Sequence, residues 1–210
     1  MRVVRKVELL VGGWSNLPRA LQREMDEVRE LYEQAADQGH EVAMNDLAVL
    51  YESGQGVAQS YVKARDWLER AAEGGYADAQ YVLGGYYANG REGVAIDLPR
   101  ARMWTEKAAA QEHVDAQYNL GCMHRDEEGG PQDFTRAREL YELAAAQGDA
   151  MAIVSIGELF AKGQGVEQEV DEAMRWLLKA KAHGLEVTHQ LAWGMELRER
   201  QNAQSHETSI

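Results

Sequence analysis

Cysteine is almost absent from this chain of 210 residues: Cys122 stands alone, so no intrachain disulfide can form. That scarcity points to a reducing compartment, and the cytoplasm is the expected location. Proline is nearly as rare, with three in all, which suits a chain made mostly of helices. No apolar run approaches the roughly 20 residues that a membrane-spanning helix needs. The N-terminal stretch to Trp14 begins with basic residues, but Glu8 interrupts its short apolar part, so a secretory signal is not expected. Positive charge is in deficit: 22 Lys and Arg face 35 Asp and Glu, a net charge of −13. A nucleic-acid binder would show a basic stripe, and an anionic membrane would repel this surface, so neither is an expected partner. A protein or peptide partner, and a basic one in particular, fits the acidic balance.

What the chain has instead is a period. Gly39, Gly75, Gly148 and Gly184 hold one position, with Glu112 standing where the third glycine is due. The steps between those positions are 36, 37, 36 and 36 residues. Such a period is the mark of a helical solenoid, in which stacked helix pairs bury a shared core.

Two helix types alternate within the period. One carries Ala64, Trp67, Leu68, Ala71 and Ala72, spaced as one apolar helix face. Its columns recur as Ala101, Trp104, Thr105, Ala108 and Ala109, then in Ala137 to Ala145 and Ala173 to Ala180. An earlier copy reads Val28, Leu31, Tyr32, Ala35 and Ala36. The other type carries Leu47-Ala48, Leu83-Gly84, Leu120-Gly121 and Ile156-Gly157. The small residue of each pair allows a neighbouring helix to come close. A glycine there costs about 1 kcal/mol of helix propensity, which close packing must offset. Gly-Gln-Gly-Val loops at Gly54 and Gly163 supply left-handed helix ends. Beyond Gly184 the columns blur, with Ala192 and Trp193 falling where the large and small residues are due, so the register slips or the repeat decays. Ser15-Asn16-Leu17-Pro18 reads as the start of a helix running to about Asp37.

These elements resemble Sel1-like repeats, relatives of the tetratricopeptide repeat. The matching residues are Asp78-Ala79-Gln80-Tyr81-Val82-Leu83-Gly84, Asp115-Ala116-Gln117-Tyr118-Asn119-Leu120-Gly121, the glycine loops and the Ala-Ala turns. The resemblance implies an all-α fold, an α-α superhelix: a right-handed solenoid of helix-turn-helix repeats. It sets four repeats over 41–76, 77–113, 114–149 and 150–185. An N-terminal segment and capping helix fill 1–40, a partial repeat or capping helix 186–200, and a disordered tail 201–210.

The resemblance also implies that the first helix of each repeat lines a concave groove. Its outward columns hold Val42, Asn45, Asp46, Val49 and Glu52 in the first repeat, and Asp78, Tyr81, Val82, Gly85 and Asn89 in the second. The third gives Asp115, Tyr118, Asn119, Cys122 and Arg125, and the fourth Met151, Val154, Ser155, Glu158 and Lys162. Of these, Asn45, Asp46, Asp78, Tyr81, Asp115, Tyr118, Asn119, Arg125 and Glu158 are the expected partner-binding residues, the tyrosines giving contact area and the charges selection.

Signals for chemistry are weak. Cys122 and His124 lie two apart on a helix and point in different directions, which suits neither a metal site nor a nucleophile–base pair. The carboxylates Asp126, Glu127 and Glu128 lack calcium-loop spacing. The Gly-Gln-Gly turns are followed by no Lys-Ser or Lys-Thr, so they are no phosphate loop. No catalytic residue, metal or cofactor is assigned. The expected function is a non-catalytic interaction module, an adaptor, bacterial regulator or toxin-immunity protein, either monomeric or a weak homodimer. The alternative is a hydrolase of the kind associated with secreted, cysteine-rich Sel1-like proteins and β-lactam breakdown. Those carry a cysteine pair in each repeat, and this chain has one cysteine in total.

Overall fold

The structure, a computed structural model, describes residues 18–207, and side chains through residue 200. Ser15, Asn16 and Leu17 of the expected helix start therefore lie outside the described residues. The described residues form ten α-helices. They are α1 (Arg19–Asp37), α2 (Glu41–Ser53), α3 (Tyr61–Glu73), α4 (Ala77–Asn89), α5 (Leu98–Ala110), α6 (Val114–Asp126), α7 (Phe134–Ala146), α8 (Ala150–Lys162), α9 (Val170–Ala182) and α10 (Thr188–Glu207). No strand occurs among them, and an isolated bridge joins Arg91 to Val94. The fold is an all-α solenoid of helix-turn-helix repeats. It divides between Gln111 and Glu112 into two compact units.

The helices share one length because the turns share one chemistry. Each helix from α2 to α9 has 13 residues. Three of the four second helices start at a side-chain cap: Ser60, Asp97 and Asp133 accept from the backbone N–H of Lys63, Arg100 and Arg136. The Ala-Ala turns end in left-handed residues, with φ of +86° at Gly39, +102° at Gly75 and +64° at Glu112. Glu112 therefore adopts the backbone of the glycine it replaces. Glu127, which closes α6, is likewise left-handed at +62°.

Within each unit the core forms where a bulky residue of a second helix sits on the small residue of its own first helix. In the first unit, a Cβ added to Gly84 would stand 2.6 Å from the Thr105 hydroxyl. In the second, a Cβ on Gly121 would meet the Tyr141 ring at 2.5 Å, and one on Gly157 would meet Leu177 at 3.1 Å. Approach distance, not backbone angle, calls for glycine at Gly84 and Gly121, and leaves a tight fit at Gly157. The buried Leu47, Leu68 and Leu83 fill the first unit; Tyr141, Ile153, Ile156 and Leu177 fill the second. Each such side chain contributes about 1.5–3 kcal/mol on burial.

Two expectations need correction, and between them an open alternative is decided in favour of a register slip. Leu31 is 64% exposed and does not join an apolar core face; α1 buries Leu21, Met25 and Ala36 instead. α1 is covered by α2 on one side, and no described helix precedes it. The register after Gly184 slips by one residue. Leu191, not Ala192, takes the large column and is buried, because it follows Gly184 by seven residues where the other large residues follow their turns by eight. Finally, α10 runs to Glu207, through most of the stretch expected as a disordered tail. Residues 201–207 contain neither glycine nor proline, so nothing in them stops a helix once begun.

Candidate partner-binding surface

The first helices α2 and α4 of the first unit carry carboxylates at Glu41, Asp46, Glu52 and Asp78, and no lysine or arginine. Among the described residues, the lysines and arginines of this unit lie on the second-type helices and, for Arg91, in the loop after α4, where its guanidinium stacks over Tyr86 at 5.4 Å; several others are engaged as well. Arg70 stacks over Trp67 with 4.3 Å from guanidinium carbon to ring centroid, and Lys107 over Trp104 at 3.9 Å. In the second unit Lys179 stacks over Trp176 at 4.8 Å. The third repeat lacks this stack, having Leu140 and an exposed Leu143 at the two positions.

On the outward columns of the first unit, Asn45, Asp46 and Tyr81 are half-buried and Asp78 is exposed. Val42 and Val49 flank them at 55% and 46% exposure. Two of the carboxylates already have partners that periodicity did not reveal. Asp46 accepts from the Tyr32 hydroxyl of α1, and burial raises the carboxyl's pKa above its ordinary 3.8. The Tyr76 hydroxyl donates to Asp78 at 2.9 Å. A third, Glu52, lies beside the hydroxyl of Tyr86, whose pKa is pushed up chiefly by burial and further by that carboxylate.

In the second unit, Asp115 and Asn119 are exposed, while Tyr118, Arg125 and Glu158 are half-buried. Tyr118 packs on Tyr141, their ring centroids 5.7 Å apart. The Tyr141 hydroxyl donates to the sulfur of Cys122 at 3.4 Å. Burial raises the pKa of Tyr118 and of Tyr141, and the neighbouring Cys122 adds to the rise in each case. Arg125 binds Asp126 through two hydrogen bonds of 2.8 and 2.6 Å, which hold the Asp126 carboxyl below the ordinary carboxylate value. Lys162 pairs with Glu158 at 3.4 Å. Val154 and Ser155 are each only 7% exposed, so they do not continue the outward column. α8 is apolar on most sides, and Val154 joins the buried cluster that also holds Val187 and Leu191.

The chemistry-bearing residues have structural work of their own. The His113 ring caps α6, its Nδ1 accepting from the Ala116 N–H at 3.3 Å. A cleft of about 530 Å³ in the first unit is lined by Gln22, Ser53, Gly54, Gly56, Val57, Ala58 and Gln59. Among its described lining residues the one hydroxyl, on Ser53, donates to the Val49 carbonyl at 2.6 Å, and none of them is a histidine or carboxylate. No group of three or more His, Cys, Asp or Glu suited to hold a metal occurs among the described residues. None of the described helices is long and apolar enough to cross a membrane.

Comparison with known proteins bears on this surface through the fold. A family model, the Sel1 repeat, matches residues 29–40, 42–76, 77–113, 114–149 and 150–185. Among solved structures, a Sel1 repeat protein from Oxalobacter formigenes is 26% identical at a TM-score of 0.66, over 87% of this chain and 79% of that one. Cysteine rich protein B of Helicobacter pylori is 21% identical at a TM-score of 0.50, over 62% of this chain and 93% of that one, a likeness of fold alone. No curated protein matches the chain.

Proposed function

The chain belongs to the Sel1 repeat family, and from that premise we propose that it is a non-catalytic protein-binding module whose first-helix surface takes a basic segment of a partner. The observation that carries this reading is the charge partition of the first unit. Its first helices present Glu41, Asp46, Glu52 and Asp78 with no cation among them. Val42, Val49 and Tyr81 lie on the same helices and supply apolar and aromatic contact area. A lysine- or arginine-bearing segment gains attraction from the carboxylates and burial from the valines. In the second unit Arg125 and Lys162 offset Asp126 and Glu158 pairwise, so selection for positive charge concentrates in the first.

A cytoplasmic protein that masks a basic toxin is one concrete form of this reading. A hydrolase would need an activated nucleophile, whereas the Ser53 hydroxyl donates to a backbone carbonyl and the Cys122 sulfur accepts from the Tyr141 hydroxyl. The test is capture of partners from native lysate at low and high salt, followed by titration of the captured protein against Asp46→Asn with Asp78→Asn. Binding that weakens with salt and with both substitutions supports the proposal. Salt-independent binding, or turnover of hydrolase substrates including a β-lactam, overturns it.

A further inference from the structure

The two ends of the described chain carry complementary halves of a repeat. Inside each repeat, the bulky column of the second helix lies on the small column of the first, as Tyr141 lies on Gly121. α1 is a helix of the second type: it ends in Ala35-Ala36 and carries Tyr32 in the bulky column. Among the described residues no first-type helix precedes it. α10 is a helix of the first type. Its Leu191-Ala192 repeats the Leu47-Ala48 pair of α2, and no second-type helix follows it among the described residues.

Exposure shows what each end lacks. Tyr32, whose hydroxyl reaches Asp46, is only half-buried, whereas Leu68 and Leu177 in its column are each 1% exposed, and beside it Leu31 is 64% exposed. Ala192 is exposed, whereas Ala48 is 2% exposed. Beside Ala192 on α10, Met195 is 55% exposed. One end thus offers a bulky column without a small one, and the other a small column without a bulky one. Charge opposes their meeting only weakly: α1 is acidic, and in α10 Arg198 and Arg200 offset two of the three glutamates, Glu196, Glu199 and Glu207.

We infer that a second copy of this chain covers these faces: α10 of one molecule packs on α1 of the next, Tyr32 against Ala192, and completes the split repeat. The contact is head-to-tail, joining two different surfaces rather than one surface to itself. One helix pair buries less than the roughly 1,200 Å² of a stable complex, so the association is weak and concentration-dependent.

Sedimentation velocity from about 10 µM to about 1 mM tests it, since weak contacts of this size populate in that range. The wild type should gain average mass with concentration. Leu31→Glu and Ala192→Glu each alter an exposed position, and far-UV circular dichroism confirms that each stays folded. Each variant alone should remain monomeric. An equimolar mixture should form a dimer and nothing larger, because α10 of the Leu31 variant still meets α1 of the Ala192 variant. Three results overturn the inference: a wild type monomeric throughout, an Ala192 variant that associates like wild type, or a mixture that stays monomeric. If the wild type is monomeric and removal of residues 1–17 releases association, that segment is the natural occupant of α1 and the inference fails.

Discussion

Gln111 donates from its side-chain amide to the side-chain oxygen of Gln80 at 2.8 Å, linking the closing turn of a repeat to the buried face of its first helix. The same amide donates to the Gly75 carbonyl at 2.9 Å, and Gln80 donates to the Ala72 carbonyl at 3.0 Å. The second unit repeats the arrangement, with Gln147 on Gln117 at 2.9 Å and on the Glu112 carbonyl at 3.1 Å. Where the first-helix column holds Met44 or Ile153, the turn holds Gly74 or His183 instead. The two positions change together because a buried amide needs a partner, and an apolar side chain there needs none.

Gln80→Met should cost about 1–3 kcal/mol in urea unfolding, since it removes the two hydrogen bonds that Gln80 makes to the Ala72 carbonyl and the Gln111 amide. Gln111→Gly should cost less, because its position is exposed. The double substitution, which copies the Met44–Gly74 pair, should cost less than the sum. A double-mutant cycle with no coupling refutes the linkage.

Glu112 and Glu127 carry positive φ without being glycine. A left-handed residue with a Cβ is strained by about 1–2 kcal/mol. Glu112→Gly should therefore raise the melting temperature, the strain relieved exceeding the entropy that glycine adds to the unfolded chain. Gly75→Ala should lower it through backbone strain alone, since an added Cβ there meets nothing within 4 Å.

Gly121→Ala should destabilise by about 1–3 kcal/mol, because its Cβ would overlap the Tyr141 ring. Gly157→Ala should cost less, its nearest neighbour being Leu177 at 3.1 Å. Gly121→Ala with Tyr141→Leu recreates the Ala48–Leu68 combination of the first repeat and should recover part of the loss. Thermal melts of the three variants decide the matter.

Tyr118 serves packing as well as any partner. Tyr118→Ala removes a ring set against Tyr141 and should lower stability, whereas Tyr118→Phe keeps the ring and isolates the hydroxyl. A partner whose affinity falls for the phenylalanine variant at unchanged melting temperature reads the hydroxyl directly.

Asp46 gives a pH dependence of definite sign. Burial raises its folded pKa above 3.8, so the folded state holds the proton more tightly than the unfolded state does. Its contribution to stability is fully present below 3.8 and is lost as pH rises through the folded value. Asp46→Asn should therefore stabilise the protein at neutral pH, with the gain vanishing in acid. A basic partner should bind more weakly as pH falls through the Asp46 pKa. Unfolding curves across pH for wild type and variant check the first expectation, and calorimetric titration the second.

The period made the helices, their pairing and the Ala-Ala turns legible, because small residues every 36 or 37 positions leave few other folds. It also placed Asn45, Asp78, Tyr81, Asp115 and Asn119 where they reach solvent. A period fixes the direction a side chain takes from its helix, and it does not say what a neighbour lays over it. Hence Val154 and Ser155 were expected outward and are buried, and Leu31 was expected in a core it does not reach. The partners of Asp46 and Asp78 were equally hidden, since Tyr32 and Tyr76 lie off the columns that repeat on the first helices.

The paired glutamines also bear on how such a protein can be lengthened or recombined. A segment cut ahead of its closing turn would carry Gln80 away from Gln111 and leave a buried amide stranded in its new host. A graft or duplication that runs through Gln111, or through Gln147, keeps both members together. The transferable block is thus bounded by its last turn residue and not by the end of its last helix, and insertions placed by that rule should fold where those shorter by one turn fail.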